Sequence, residues 1–428
     1  MATATDVDRL VDLRRELHRH PEPAWREFYT TARLVEECRE IGVDQLHVGP
    51  DALASEARMA VPDEETLAEW TDRAIAAGAD ESIVSQLAGG HTGLIAELHR
   101  GDGPTIALRV DIDGLPRAES EDPDHVPAAE GFRSENEGAM HACGHDGHAA
   151  IGVGVLRAIA ESDEFSGTLK VIFQPAEEQV GGGKAIAESG HLDDVDALLA
   201  IHLGLDHPTG EIVAGVEGFL AVAQLEAEFH GEPSHAGGRP EEGRNANQAM
   251  AAAIQNLYAI PRHSDGPTRV NAGIAEGGTA SNVIPEYARL VVEVRGETTP
   301  LMEYVDDRAR SVLEGAATMH ECDFTVSDDG RAPSAESDDE LRDVVGAVAK
   351  GHADVERVLD RDDLGGSEDA TYLMRAVQEN GGLAAFVGIG TDPPGGHHTA
   401  TFDVDEDSIG IGVDVLSEAI ERIAADLP

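Results

Sequence analysis

Three apolar segments of this chain end in side chains that can bind metal or carry protons, and this pattern constrains the fold most. Strands are predicted at 105–110, 169–173 and 197–201, a helix at 149–160, and the polar residues after the strands are Asp111, Glu177 with Glu178, and His202. Continuous apolar strands alternating with helices are typical of a largely parallel sheet covered on both faces. In such sheets ligands bind beyond the carboxyl ends of the strands. The sequence therefore predicts an α/β domain with a polar site at one sheet edge.

The run Met140–His148 concentrates three histidines and a cysteine. Thiolate and imidazole suit zinc and neighbouring transition metals. Cys143 and His145 are two residues apart, so an irregular loop can turn both toward one point. The alternative is a helix start with incidental histidines. We expect His141 and His148 either to support the metal ligands without binding metal or to lie at the start of the helix.

Length and cysteine content limit the class of protein. A chain of 428 residues exceeds one compact core, so two domains are expected. It has no long apolar run, and the segment Met1–Asp6 lacks a signal-peptide pattern, so neither a membrane span nor secretion is expected. Three cysteines make no disulfide framework. We expect a cytoplasmic protein, whose reducing setting keeps Cys143 available as a thiolate.

The charge balance is strongly acidic, with 83 acidic against 31 basic residues and a net charge of −52. Such a surface repels nucleic acid and anionic lipid, so neither is expected as a partner. Disorder is the first alternative, but 41% apolar residues in strand and helix patterns argue against it. We interpret the acidity as adaptation to high salt, where screening removes self-repulsion.

The order of predicted elements divides the chain. Residues 219–330 read as βαββαβ, the order of a ferredoxin-like unit. This unit is predicted to be inserted in a catalytic domain formed by 1–218 and 331–428, where a strand at 383–389 returns to the first sheet. Residues 51–90 are acidic and alanine-rich, and we predict a helical insertion there.

Five side chains are candidate metal ligands. They are Cys143, His145, Glu178, His202 and His398. Two divalent cations among them would leave residual positive charge, which favours an anionic substrate and a developing oxyanion.

The two adjacent glutamates would point to opposite faces of a straight strand. Pro175 and the turn after it relieve that constraint, so one carboxylate can bind metal while the other holds water as a general base. A solvated acidic loop is the alternative for this pair.

Three of the proposed residue roles have alternative interpretations. His202 at a strand end can be only hydrogen-bonded. Of His397 and His398, one is expected to bind metal and the other to support it or be exposed. Asp111 can orient a ligand or cap a loop.

These residues lie in strings that resemble the M20 metallopeptidases, specifically the amidohydrolase branch of aminoacylases, hippurate hydrolases and auxin-conjugate hydrolases. The matching strings are RVDIDGLP, MHACGHDGHAAIG, QPAEE, AIHLG, PSHAGGRPEEGRNA, ASNVIP and GGHHTATFDVDE. The likeness covers nearly the whole chain, including the insertion. It implies a mostly parallel or mixed sheet with an inserted lid and dimerisation domain.

The resemblance also implies residue roles. Cys143 matches the residue that bridges two metals, and Glu177 matches the catalytic base. The metals are expected to be Mn²⁺, with Zn²⁺ or Co²⁺ as alternatives. His398 is preferred over His397 because the family histidine precedes a Phe by four positions, here Phe402. Many relatives have a His-x-Asp motif where this chain has Arg109-Val110-Asp111, and His145 then completes the ligand count.

In the inserted domain, His235 matches a histidine that can stabilise the oxyanion across a dimer. Asn282 and Arg295 match positions that hold the substrate carboxylate, a task that suits a bidentate arginine. The alternatives are a turn residue for Asn282 and a strand-end charge for Arg295.

The resemblance implies hydrolysis of the amide bond of an N-acyl amino acid, with p-aminobenzoyl-glutamate as the expected substrate. The alternatives are a general aminoacylase or hippurate-type hydrolase, and a small-peptide carboxypeptidase. A homodimer, or a heterodimer with a related subunit, is expected through the inserted domain. A non-catalytic binding protein would lack a ligand or the base, and none is missing here.

Overall fold

The computed structural model describes residues 4–427, so the first three residues of the polar N-terminal segment lie outside the described residues. The helices are α1 (Ala4–Arg19), α2 (Phe28–Ile41), α3 (Glu64–Ala76), α4 (Glu81–Val84), α5 (Val126–Glu130), α6 (His145–Glu161), α7 (Gly183–Ala187), α8 (Ala246–Leu257), α9 (Thr299–Met319), α10 (Asp339–Gly351), α11 (Ala370–Glu379) and α12 (Asp407–Asp426). The strands are β1 (Gln45–Val48), β2 (Leu94–Arg100), β3 (Thr105–Asp111), β4 (Gly167–Gln174), β5 (Ala197–Leu203), β6 (Glu211–Val213), β7 (Val216–Glu217), β8 (Ala221–His230), β9 (Thr268–Gly277), β10 (Tyr287–Gly296), β11 (Asp323–Ala332), β12 (Arg357–Leu359), β13 (Asp362–Asp363) and β14 (Leu383–Ile389).

The chain forms two compact units. The main unit contains the residues up to Glu217, Ala335–Leu364 and the residues from Asp369 onward. The inserted unit contains Gly218–Ser334 and Gly365–Glu368. The inserted unit therefore ends slightly later than the predicted segment 219–330. It also includes a second, short stretch, Gly365–Glu368.

The main unit is built on an eight-stranded sheet in the order β1-β2-β4-β3-β5-β14-β6-β12. Its centre is parallel, since β3 pairs in parallel with β4 and β5, and β5 pairs in parallel with β14. Antiparallel pairs join β1 to β2, β2 to β4 and β6 to β14, so the sheet is mixed. All seven residues of β5 are buried, which requires cover on both faces. The predicted α/β class is confirmed.

Helix α6 packs closely enough to bring its first residue to the carboxyl edge of the sheet. A Cβ atom at Gly152 would lie 3.0 Å from the side chains of Phe173 and Val110, and one at Gly154 would collide with Val413. Small residues on this face therefore let the helix approach the strands and α12. The apolar pattern predicts a helix start at 149, whereas α6 begins at His145.

A buried ionic network ties α1 to the first turn of α6. The two ring nitrogens of His18 lie 2.8 Å from Asp146 and 2.9 Å from Glu119. Arg14 Nε lies 2.8 Å from Asp146, and His125 Nε2 lies 2.8 Å from Glu119. Burial and the charge of Arg14 lower the pKa of His18, but the two carboxylates outweigh them and raise it to about 9. His18 is therefore an imidazolium that donates from both nitrogens at neutral pH.

The inserted unit has a four-stranded antiparallel sheet in the order β11-β8-β10-β9. With α8 after its first strand and α9 after its third, this is the predicted ferredoxin-like βαββαβ arrangement. Its strands alternate buried and less buried positions, as in β8 and β10, which is typical of a sheet with one face on the core.

Other expectations concern single segments. The insertion predicted at 51–90 contains helices α3 and α4. The three cysteines, all described, are buried and form no disulfide. Among residues 4–427, no helix combines the length and apolarity that a membrane crossing needs.

Candidate metal centre

The carboxyl ends of β3, β4 and β5 lie side by side, and Arg109 organises this edge. Asp111 pairs with Gln174 in the register of β3 with β4. The buried guanidinium of Arg109 donates to Gln174 Oε1 at 2.9 Å, to Asp111 Oδ2 at 2.9 Å and to Asp369 Oδ1 at 3.2 Å. Arg109, at the position where the resemblance leads one to expect a histidine, is thus a buried cation among polar partners.

His145, the first residue of α6, points its ring into a group of carboxylates. Its Nδ1 lies 3.2 Å from Asp113 Oδ1, and because a carboxylate accepts, Nδ1 donates. Its Nε2 lies 3.6 Å from Asp111 Oδ1 and 4.0 Å from the nearest oxygens of Glu177 and Glu178. The sequence-predicted ligand and both glutamates therefore meet at one point.

The turn expected after β4 presents both glutamates on the same side. Ala176 adopts a left-handed conformation with φ 57°, and its N–H donates to the buried carboxylate of Glu27 at 2.9 Å. The next two amides, of Glu177 and Glu178, donate to the two oxygens of Asp113 at 3.1 and 3.0 Å. These backbone hydrogen bonds interrupt the alternation of side chains between the two faces of a strand. The adjacent side chains of Glu177 and Glu178 can therefore face the same cluster.

Cys143 and His202 approach each other from α6's entry loop and from β5. His202 Nδ1 donates to the carbonyl of Leu203 at 2.7 Å, which leaves Nε2 facing Cys143 Sγ at 3.4 Å. Burial, together with neighbouring histidines, holds the pKa of His202 well below its usual range. A neutral imidazole with its second nitrogen held by a carbonyl is the form that binds metal.

His398 reaches the same cluster from the loop before α12. It is left-handed, with φ 59°, and its N–H donates to the carbonyl of Ala142 at 2.7 Å. Its Nε2 lies 3.4 Å from Glu178 Oε2. Donor atoms of Cys143, Glu178 and His398 all lie within 4.8 Å of one another. The side chain of His398 is 57% exposed, so this ligand position borders solvent.

The donor set fits a cation. Burial alone would lower the pKa of His145, but Asp111, Asp113 and Glu178 raise it to about 10. Nε2 of His145 is buried and has no hydrogen-bond partner among the described residues. A buried imidazole nitrogen without a hydrogen-bond partner, surrounded by carboxylates and a thiol, indicates a position where a metal ion can bind in place of the proton on that nitrogen.

Two of the three neighbouring histidines form hydrogen bonds that support the cluster. His148 accepts the N–H of Leu203 at Nε2, at 2.8 Å, and donates from Nδ1 to Asp111. His397 donates to the carbonyl of Leu203 at 3.1 Å. His141 is buried, its ring nitrogens lack hydrogen-bond partners among the described residues, and burial lowers its pKa to about 3.

Sequence analysis missed two residues that hold this cluster together. Asp113 lies two positions beyond Asp111 in the same strand-end segment, and that spacing is a signal that could have identified it. Glu27 lies directly before helix α2, and its residue type alone does not distinguish it from a surface acid.

The three predicted residues of the inserted unit are not all neighbours within that unit. His235 forms a β-bridge with Val283, and the carbonyl of Asn282 accepts the N–H of Ala236 at 3.0 Å. Exposed His235 accepts two glycine amides at Nδ1, at 3.1 and 3.0 Å, which places the proton of the neutral ring on Nε2. Arg295 lies at the far end of β10, roughly 26 Å along the strand from Tyr287. There it forms a two-point ion pair with Glu293, at 2.7 and 3.2 Å.

Comparison with known proteins identifies the family. A family model described as "Peptidase family M20/M25/M40" matches residues 107–422. The chain is 43% identical to an indole-3-acetyl-aspartic acid hydrolase of Enterobacter agglomerans, over 94% of this chain and 93% of that protein. It is 39% identical to one of the subunits of the p-aminobenzoyl-glutamate hydrolase of Escherichia coli K12, over 97% and 95%. The crystal structure of an aminobenzoyl-glutamate utilization protein from Klebsiella pneumoniae matches with a TM-score of 0.84 at 35% identity, over 97% and 95%. The chain therefore belongs to peptidase family M20/M25/M40, as its motifs predicted.

Proposed function

We propose that this protein is a metal-dependent amidohydrolase that cleaves N-acyl acidic amino acids, with p-aminobenzoyl-glutamate as substrate and p-aminobenzoate and glutamate as products. The observation that carries the proposal is the cluster at the carboxyl edge of the main sheet. There a thiol, three imidazoles and two adjacent carboxylates converge from four separate segments.

Cys143, His145, Glu178, His202 and His398 would hold two divalent cations. When bound, the ions supply positive charge that polarises the amide carbonyl and makes water more acidic. We propose Mn²⁺ as the physiological metal because the family resemblance implies it. Thiolate and imidazole also suit Zn²⁺, so Zn²⁺ or Co²⁺ are the alternatives.

Glu177 is the residue proposed to move protons. Glu178 lies 3.4 Å from His398 and 4.0 Å from His145. Glu177 lies 4.0 Å from His145, with 10% of its side chain exposed. A carboxylate of Glu177 takes a proton from the attacking water as the water oxygen bonds to the carbonyl carbon. The same carboxyl then gives the proton to the amide nitrogen as the C–N bond breaks. The products are a carboxylic acid and an amino acid.

The inserted unit is proposed to bind the substrate. The Nε2–H of His235 is a donor suited to the oxyanion, and it is proposed to act on the partner subunit's site. Asn282 and Arg295 are proposed to hold the carboxylate of the amino acid, which requires Arg295 to exchange Glu293 for substrate. Arg295 lies near the end of β10, whereas His235 bridges Val283, which precedes the start of that strand. This placement supports their serving different sites of a dimer.

Two relatives support the preference for an acidic amino acid, since their names specify aspartic acid and glutamate conjugates. The name of the second describes it as one subunit of its hydrolase, which supports a heterodimer as the alternative to a homodimer. The acidic charge balance supports a salt-rich setting, and the three free cysteines support a cytoplasmic one.

A substrate panel tests the specificity. The Mn²⁺-loaded protein is assayed with p-aminobenzoyl-glutamate, indole-3-acetyl-aspartate, hippurate, N-acetyl-alanine and a dipeptide. We expect the largest kcat/KM for the two acidic conjugates. Equal or faster cleavage of hippurate or N-acetyl-alanine would support the general aminoacylase instead, and preference for the dipeptide would support a carboxypeptidase.

A further inference from the structure

A second group of metal-binding side chains lies at the edge of the main sheet. His47 is on β1, Glu97 is on β2, and His191 follows α7. His47 Nε2 lies 3.1 Å from Glu97 Oε1, and the ring centroids of His47 and His191 are 4.3 Å apart. One donor atom of each of the three lies within 4.8 Å of the others. None of these residues belongs to the cluster at the carboxyl edge.

The register of the strands explains why the side chains share a face. Gln45 lies opposite Glu97 in the antiparallel pair of β1 with β2, and His47 is two residues further along its strand. Side chains two residues apart point to the same face, so His47 and Glu97 meet diagonally across the pair. The segment after α7 then places His191 beside them.

The hydrogen bonds of His191 leave one nitrogen available. Its Nε2 lies 2.7 Å from the carbonyl oxygen of Asp51, and because a carbonyl only accepts, Nε2 carries the proton. In the neutral ring the lone pair is then on Nδ1. Metal-binding histidines are commonly held in this way, with one ring nitrogen donating to a carbonyl and the other free for the ion.

Lys170 is a competing cation near Glu97, with its ammonium 3.8 Å from Oε1. That ammonium already donates to Asp194 Oδ1 at 2.6 Å and to the carbonyl of His191 at 2.9 Å. Asp194 therefore offsets the lysine charge, and Glu97 keeps its negative charge for another cation. A further imidazole, His99, has its Nε2 3.7 Å from the other oxygen of Glu97.

We propose that His47, Glu97 and His191 bind a divalent transition-metal ion of the zinc class, separate from the ions of the catalytic cluster. Two imidazoles and one carboxylate are a donor set that zinc uses, with water in the fourth position. The side chains of Glu97 and His47 are 9% and 24% exposed, so an ion can enter from solvent and still lose much of its hydration. Bound there, the ion would join edge strand β1 to the segment after α7 and stabilise the fold by mass action.

The test is a zinc-retention measurement on the full-length protein. Wild type, a His47→Gln/His191→Gln variant and a His230→Gln variant are equilibrated with Zn²⁺, freed of excess by gel filtration and analysed for metal. His230 is a matched control, because it is a surface histidine beside a carboxylate, 3.6 Å from Glu228, in the inserted unit. We expect the double variant to retain about one equivalent per chain less than the other two. Equal retention in all three proteins would overturn the proposal.

A second readout does not depend on catalytic metal or activity. In a background that replaces all five proposed catalytic ligands (Cys143→Ser, His145→Gln, Glu178→Gln, His202→Gln and His398→Gln), added Zn²⁺ should still raise the melting temperature, and Glu97→Gln should abolish that increase. Glu97→Gln preserves shape, and its melting temperature in chelator establishes whether it folds. An increase that survives Glu97→Gln means that the side chains form only a hydrogen-bonded group, and the proposed site is then excluded.

Discussion

Asp113 accepts a hydrogen bond from Nδ1 of His145 at 3.2 Å, and this contact determines which ring nitrogen faces the other candidate ligands. The same carboxylate accepts the backbone amides of Glu177 and Glu178. One side chain therefore aligns the start of α6 with the turn after β4. Orientation of this kind, by residues that never touch the ion, is a large part of metal affinity.

Asp113→Asn should weaken metal binding because an amide NH₂ cannot accept a backbone N–H. We expect metal affinity to fall by about 10–100-fold, with kcat/KM falling in parallel. Affinity is measured by competition with a chelator. Asp102→Asn, in an exposed loop, is the control. An Asp113→Asn protein that binds metal as tightly as wild type would remove Asp113 from the site.

Glu177→Gln should separate catalysis from metal binding. The proposed general base is lost, so turnover should fall by at least ~10²-fold, while metal content stays at the wild-type value because Glu177 is not a proposed ligand. Glu188→Gln, on an exposed acid after α7, should leave both unchanged. Wild-type turnover in Glu177→Gln would refute the mechanism.

His18 should make stability depend on pH. Its pKa rises from 6.5 to about 9 on folding, so the folded protein binds the proton more tightly. The resulting stabilisation is complete below pH 6.5 and is lost as pH rises through about 9, with a slope of up to about 1.4 kcal/mol per pH unit. Denaturant unfolding of wild type and His18→Gln across this range measures the difference. His320→Gln is the control, and parallel curves for wild type and His18→Gln would contradict the ionic network between α1 and α6.

Mixed dimers test whether His235 serves the partner subunit. Glu177→Gln and His235→Ala should each be nearly inactive alone. In a mixed dimer, one site combines an intact Glu177 with the partner's intact His235. Random mixing by co-expression should therefore restore about one quarter of wild-type activity. No recovery, in a preparation shown to contain mixed dimers, would place His235 in its own subunit's site.

Salt should stabilise the protein through screening. At a net charge of −52, repulsion opposes the compact state, and the Debye length falls to about 3 Å at 1 M salt. The melting temperature should rise in molar KCl by more than in sucrose, which stabilises without screening. Equal melting temperatures in dilute buffer and molar KCl would refute adaptation to salt.

The sequence predicts the fold because its strands are local apolar runs and because polar residues follow them directly. Strand β14 has the bounds that its apolar run predicts, and the ferredoxin-like order of the inserted unit follows from alternating patterns. The candidate ligands are identified by chemical type, and donor atoms of Cys143 and His398 do meet within one group.

The residues that sequence analysis missed act through the backbone or over long range. Asp113 works by accepting amides; its spacing from Asp111 places it at the strand end, but the sequence does not show which amides it accepts. Glu27 caps a turn almost 150 positions away, at Ala176, a contact that only the folded chain defines. The early start of α6 depends on Gly144, whose φ of 92° lets the helix begin at His145, and its sequence neighbours give no indication of that conformation.

Arg109 has a consequence for what happens when metal is scarce. A guanidinium cannot be chelated, exchanged or deprotonated under physiological conditions. Its positive charge stays beside Asp111 and Asp369 whether or not ions are present. Part of the counter-charge for this acidic interior is thus covalently built into β3, so Asp111 and Asp369 keep a positive neighbour that no chelator can remove.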